Sequence, residues 1–153
     1  MLIRKFKDSD AVKLARMHRE TIRTINNKDY SKEQIKVWSE RSTVKRFSKY
    51  AKNRLIFVAL DKNKIIGFTE YKDNEIKALY VHRDYIGKGV GEKLLKKLID
   101  IAYKKGIRKL KCMSTITAKN FYLKQGFKII RKTKFLIGNQ KLKVYEMIKQ
   151  LKY

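Results

Sequence analysis

Three strand-forming runs, LIFVAL (55–60), KIIGFTEY (64–71) and EIKALYV (75–81), follow one another with only the turn-forming DKNK and KDN between them. Gaps that short make each strand reverse on its predecessor, so the three form an antiparallel meander. Upstream, Leu2, Ile3 and Phe6 mark a short first strand. Asp8 or Ser9 then caps a helix over residues 8–25 with an apolar stripe of Val12, Leu14, Ala15, Met17, Ile22 and Ile25. YSKEQIKVW (30–38) is a second helix with Ser31 as cap and Glu33 in its first turn, and residues 43–51 form a third. Downstream of the meander, Leu94, Leu95, Leu98, Ile101 and Ala102 share one face of a helix that Gly106 ends. RKLKCMS (108–114) reads as a strand and TAKNFYLKQ (117–125) as a short helix stopped by Gly126. FKIIRKTKFLI (127–137) and QKLKVYEMIK (140–149) form a hairpin around Gly138 and Asn139. The order is β, helices, βββ, α, β, α, ββ, in a single domain over residues 1–153.

The segment between the meander and the long helix is unusual. A chain with 7 glycines and no proline places three of them, Gly87, Gly89 and Gly91, at one helix entrance. Unpaired amides and the positive end of the helix dipole meet there, and glycine removes the Cβ atoms that would keep phosphate oxygens at a distance. The spacing is GxGxG followed by Glu92. It lacks the Gly-Lys-Ser/Thr of a nucleoside triphosphate loop and the GxGxxG of a dinucleotide site.

Charge and composition narrow the possibilities further. The 40 basic and 14 acidic residues leave a net charge of +26, which favours acidic partners without choosing among nucleic acid, anionic membrane and a polyanionic cofactor. Lysines recur along the whole chain, so the charge equally suits a solvated surface, and nonspecific nucleic-acid binding is expected at low salt. No apolar run approaches the roughly 20 residues that span a bilayer, and the charged start MLIRKFKDSD is unlike a signal peptide. A cytoplasmic protein is expected, as monomer or homodimer, without membrane attachment. The lone Cys112 has no disulfide partner, and Cys112, His18 and His82 have no metal-ligand spacing.

ALYVHRDYIGKGVGEKLL resembles the acetyl-CoA-binding segment of the GNAT superfamily of N-acetyltransferases, whose loop reads Gln/Arg-x-x-Gly-x-Gly/Ala. Ile86, Gly89 and Gly91 occupy those three places, with Ile86 where the family commonly has Gln or Arg. A second segment, TITAKNFYLKQGF, resembles the family's later motif through Ala118, Phe121, Tyr122, Lys124, Gly126 and Phe127, with Thr115 where Asn is usual. The resemblance implies an α+β fold: a mixed, mostly antiparallel central sheet of about seven strands with helices on both faces. It implies acetyl-CoA as donor, coenzyme A as product and an amine acceptor. The pantetheine arm is expected along Leu79, Tyr80 and Val81. The pyrophosphate is expected on the loop of Ile86, Gly87, Lys88, Gly89, Val90, Gly91 and Glu92, and Thr115, Asn120 and Tyr122 complete the cofactor site.

The chemistry needs a neutral nucleophile, a polarised thioester carbonyl and a proton for the departing thiolate. Tyr122 matches the family tyrosine that supplies this proton. Glu75, Glu70 or an ordered water is expected as base, and the resemblance implies that the acceptor meets residues 30–38 and 135–145. Cys112, inside a strand with no histidine placed to activate it, reads as a packed thiol rather than an acyl carrier. The alternative is a GNAT-like domain with impaired catalysis that acts on RNA or the ribosome through its basic surface.

Overall fold

The structure, a computed structural model, describes residues 1–152. Seven strands form one sheet: β1 (Leu2–Lys5), β2 (Leu55–Asp61), β3 (Lys64–Lys72), β4 (Glu75–Val81), β5 (Lys109–Thr115), β6 (Lys128–Ile137) and β7 (Gln140–Gln150). Their spatial order is β1-β2-β3-β4-β5-β7-β6, and β4–β5 is the one parallel neighbour pair. Five helices, α1 (Ala11–Thr24), α2 (Lys32–Glu40), α3 (Val44–Tyr50), α4 (Val90–Lys104) and α5 (Lys119–Lys124), cover both faces.

The two faces of β2 explain the layering. Ile56, Val58 and Leu60 pack with Leu14, Met17 and Phe47 of α1 and α3, while Phe57 and Ala59 pack with Leu94, Leu95 and Leu98 of α4. A strand covered on both sides needs an unbroken apolar run, which LIFVAL supplies. α4 approaches β3 closely because residue 67 is glycine. A Cβ there would lie 3.0 Å from the carbonyl oxygen of Tyr80 and 3.0 Å from Val90 Cγ1. A smaller apolar group, with Ile22, Ile35, Trp38 and Leu142, joins α1 and α2 to β7.

The start of α1 departs from expectation. Residues Asp8–Asp10 form a 3-10 turn, and α1 proper begins at Ala11. The Asp10 carboxylate accepts from Lys7 N at 2.8 Å and from both terminal nitrogens of Arg4 at 2.8 and 3.0 Å. Neither Asp8 nor Ser9 therefore caps the helix. Val12 is 58% exposed rather than part of the stripe, because the buried face runs through Ala11, Leu14, Ala15, His18 and Ile22. At α2 the Ser31 cap forms as expected, with Ser31 Oγ accepting from Gln34 N at 3.1 Å and Gln34 Oε1 accepting from Ser31 N at 2.9 Å.

Glu70, one of the two carboxylates considered as base, is fully buried and spent on the fold. Arg46 of α3 donates to it at 2.7 and 3.3 Å, and Arg54 at 2.8 Å. The two guanidinium groups also lie over the Tyr50 ring, at 5.0 and 3.6 Å from its centroid. Removing the carboxylate would strand two cations in a largely dry site, which is more costly than the pair itself is stabilising. Glu70→Ala is expected to lose about 3 kcal/mol in urea denaturation.

Candidate active site

β4 and β5 share only two register positions, Glu75↔Lys111 and Ile76↔Cys112. Beyond them β4 stays on β3 as far as Val81↔Gly67, while β5 stays on β7 as far as Thr115↔Val144. The strands diverge as a V, and the edges that face each other past Ile76 and Cys112 have no ladder partner. A cleft of about 530 Å³ fills the opening.

A bulge in β4 sets which side chains line it. Tyr71 pairs with Ile76 and Glu70 with Ala78, leaving Lys77 as the extra residue. Ile76 therefore packs towards α4, whereas Ala78 and Tyr80 pack towards α1, and Leu79 and Val81 return to the α4 side. The cleft is thus lined from both faces of the sheet.

On the α4 side the chain enters through a 3-10 turn, Arg83–Tyr85, which Tyr85 Oη anchors by donating to Asp61 Oδ2 at 3.0 Å. Gly87 and Gly89 follow with φ of +80° and +83°, and a Cβ at either position would have no atom within 4 Å. Gly89 is the left-handed N-cap of α4, and no side chain caps the helix. The first-turn amides therefore open on the cleft, in a cradle that a Cβ would fill. Gly91 serves packing instead, since its missing Cβ admits the Phe121 ring of α5, whose nearest atom would lie 3.1 Å away.

Tyr122 of α5 is 4% exposed, wedged between Phe121 and Phe127 at centroid distances of 5.3 and 5.1 Å. It lines the cleft, and its hydroxyl makes no hydrogen bond to a described residue. Burial, with Cys112 and Tyr80 nearby, raises its pKa well above the ordinary phenol value. The group stays protonated throughout the neutral range. Thr115 Oγ1 accepts from Ala118 N at 3.1 Å, holding the turn into α5 and leaving its own proton free to donate.

The other residues considered from sequence divide in two. Leu79, Tyr80, Val81, Ile86, Val90 and Glu92 line the cleft. Lys88 does not, and its ammonium sits 5.3 Å from the Tyr85 ring centroid. Asn120 does not either, since it lies on the exposed side of α5. Glu75 is placed at the closed end of the V, where Lys77 approaches at 2.6 Å and Lys111 at 3.8 Å. Glu92, in the first turn of α4, is the one acidic residue that lines the cleft among those described. Cys112 lies buried at the last rung, its thiol pKa pushed up by burial, which suits packing rather than nucleophilic attack.

The opposite wall comes from a segment that sequence reasoning passed over. Thr21, Ile25, Asn26 and Lys28, from the end of α1 and the 3-10 turn Asn26–Lys28, line the cleft, whereas residues 30–38 and 135–145 do not. The readable signal was the polar pair Asn26-Asn27 breaking the apolar period of α1. Two ties hold this wall against the β5–α5 loop. Tyr30 Oη donates to Lys143 O at 2.6 Å and accepts from Ile116 N at 3.0 Å, and Thr117 Oγ1 donates to Asp29 Oδ2 at 2.8 Å.

Residues 26–149 match the acetyltransferase (GNAT) domain model. The chain belongs to the GNAT family of acetyltransferases. YafP of Escherichia coli (strain K12), an uncharacterised N-acetyltransferase, is 28% identical over 129 residues, 84% of this chain and 82% of YafP. A GCN5-related N-acetyltransferase from Rhodopseudomonas palustris superposes with a TM-score of 0.93 at 27% identity, over 98% of this chain and 95% of that one. The PaiA N-acetyltransferase of Thermoplasma acidophilum, solved with coenzyme A, superposes at 0.83 and 26% identity, over 98% of each chain. The GNAT fold accounts for the V between β4 and β5 and for the glycine turn at its mouth. Two glycines of this GNAT domain differ in what replacement costs. Gly67→Ala, which drives a Cβ against backbone, is expected to lose roughly 2 kcal/mol. Gly87→Ala, in open space with only left-handed strain, is expected to lose about 1 kcal/mol, both read from denaturant midpoints.

Proposed function

We propose that this enzyme transfers the acetyl group of acetyl-CoA directly to a primary amine, carried by a small molecule or by a protein or peptide. The observation that carries this reading is the two-sided cleft. Its α4 side offers a glycine cradle and a protonated tyrosine, and its α1 side offers a separate polar wall, so donor and acceptor can approach from opposite faces. When bound, acetyl-CoA supplies an activated thioester whose carbonyl carbon is open to nucleophilic attack.

The chain's own residues then have distinct roles. The amides of Val90, Gly91 and Glu92 hold the pyrophosphate by backbone donation, aided by the positive end of α4. The unpaired edge of β4 from Leu79 to Val81 binds the arm as a partner strand would. Tyr122 gives its proton to the departing sulfur as the new C–N bond replaces the C–S bond, and recovers it from solvent. With Glu70 held by arginines and Glu75 held by lysines, the amine loses its proton to water in the cleft. The net charge of +26 will attract nucleic acid at low salt, and we read that binding as unselective.

Acetyl-CoA at about 100 times its Kd is expected to stabilise the protein by about 2.7 kcal/mol, raising Tm by about 5 to 11 °C. Gly89→Val should abolish that shift, and a variant that retains it in full would remove the phosphate assignment. Tyr122→Phe should keep the shift while turnover falls by about 10²- to 10⁴-fold. A raised phenol pKa means that the acid form is lost only at high pH. The wild-type rate should therefore show no decline assignable to Tyr122 below about pH 10. Unchanged turnover in the Phe variant would return Tyr122 to packing.

A further inference from the structure

Asn26 is 4% exposed and lines the cleft on the α1 wall, yet its Oδ1 is sealed from water and has no hydrogen-bond partner. Hydroxyls on and around this wall have their protons committed elsewhere. Thr21 donates to Met17 O at 2.9 Å, Tyr30 to Lys143 O at 2.6 Å and Thr117 to Asp29 Oδ2 at 2.8 Å. Tyr80, on the same wall, makes no hydrogen bond to the amide oxygen. A sealed carbonyl without a donor is destabilising, and folding alone gives no reason to keep it. Oδ1 faces away from the cleft that the residue lines, and because the terminal torsion of asparagine is broad, rotation about it can bring Oδ1 round to the cleft side.

Building on the acetyl-transfer reading, we infer that Asn26 positions the acceptor: Oδ1 accepts an N–H of the attacking amine and aims its lone pair at the β4–β5 opening. An amide suits this role better than a carboxylate. A carboxylate would strongly stabilise the ammonium form, which has no lone pair, whereas a neutral amide oxygen carries no full charge and favours that form far less. The surroundings agree. No acidic side chain lines this wall among the described residues: Asp29 lies behind it, held by Thr117 at 2.8 Å, and the cationic Lys28 on the wall, with Lys77 also lining the cleft, disfavours a second positive charge close by. The acceptor is therefore selected by hydrogen bonding, not by ion pairing.

The test uses the full chain with Asn26→Leu and Asn26→Asp. Free amino acids, amino-acid amides and linear polyamines serve as acceptor probes, scored both by coenzyme A release and by added thermal shift on the coenzyme A-loaded protein. Asn26→Leu removes both polar atoms while keeping the same branching. It is expected to keep or raise Tm, keep the acetyl-CoA shift, and lower kcat/KM for the best probe amine by about 10- to 100-fold, chiefly through KM. Asn26→Asp keeps an oxygen but adds charge. It should still transfer, with the kcat profile moved to higher pH because the bound amine holds its proton longer. If Asn26→Leu folds and transfers like wild type, or if Asn26→Leu fails to fold and the Asp profile does not move, the inference is overturned while the acetyl-transfer reading stands. If wild type shows no acetyl-CoA shift and acts on no probe amine, both fall. An acetyl-CoA shift with neither transfer to nor added shift from any probe overturns the Asn26 assignment alone.

Discussion

Past Ile76 and Cys112 the two central strands stop sharing hydrogen bonds, and most of the architecture exists to make that gap tolerable. Each strand is secured by its other neighbour, β4 by β3 and β5 by β7, so the sheet behaves as two ladders joined at one end. α4 bridges them, packing Leu94, Leu95 and Leu98 into a core that includes Phe57 and Ile66 from one half and Leu110, Cys112 and Met147 from the other. Backbone groups that lack a ladder partner are costly when dry. A ligand lying along the opening would supply their partners, and the lost rungs would become binding energy.

The opposite rim is held by a small number of polar contacts. Tyr30 joins the segment after α1 to both β7 and the β5–α5 loop, and its burial pushes its pKa up to about 12, so its proton stays in place at any physiological pH. Asp29 makes a second tie through Thr117. These contacts fix the wall that carries Asn26 relative to the loop that carries Thr115. An acceptor and a donor can then be held at a set separation across the V, which is where proximity contributes most to such a reaction.

Acidic residues are scarce here, 14 against 40 bases, and the structure spends several of them on folding. Asp10 holds Arg4, Glu70 holds Arg46 and Arg54, and Glu75 holds Lys77 with Lys111 nearby. In so basic a chain a carboxylate is readily captured by a cation. The cleft is correspondingly lined by backbone amides, a phenol and an amide side chain, groups that no lysine can neutralise.

By itself the sequence determined the order of the elements and the glycine-rich entrance to α4. Period-2 runs broken by short turns define a meander, a 3.6-residue stripe defines α4, and glycines ahead of it define a helix entrance without side chains; all are local, so all are legible in order along the chain. It also carried the Tyr122 motif on α5. What only the tertiary structure decided is where side chains point once distant elements meet. The bulge at Lys77 reverses the facing of β4 from Ala78 onward, arginines from α3 and the following turn close over Glu70, and the end of α1 swings Asn26 into the cleft. Each depends on a contact between residues far apart in sequence. Strand alternation can say that Glu70 has a face, but the charge waiting on that face is supplied by another element.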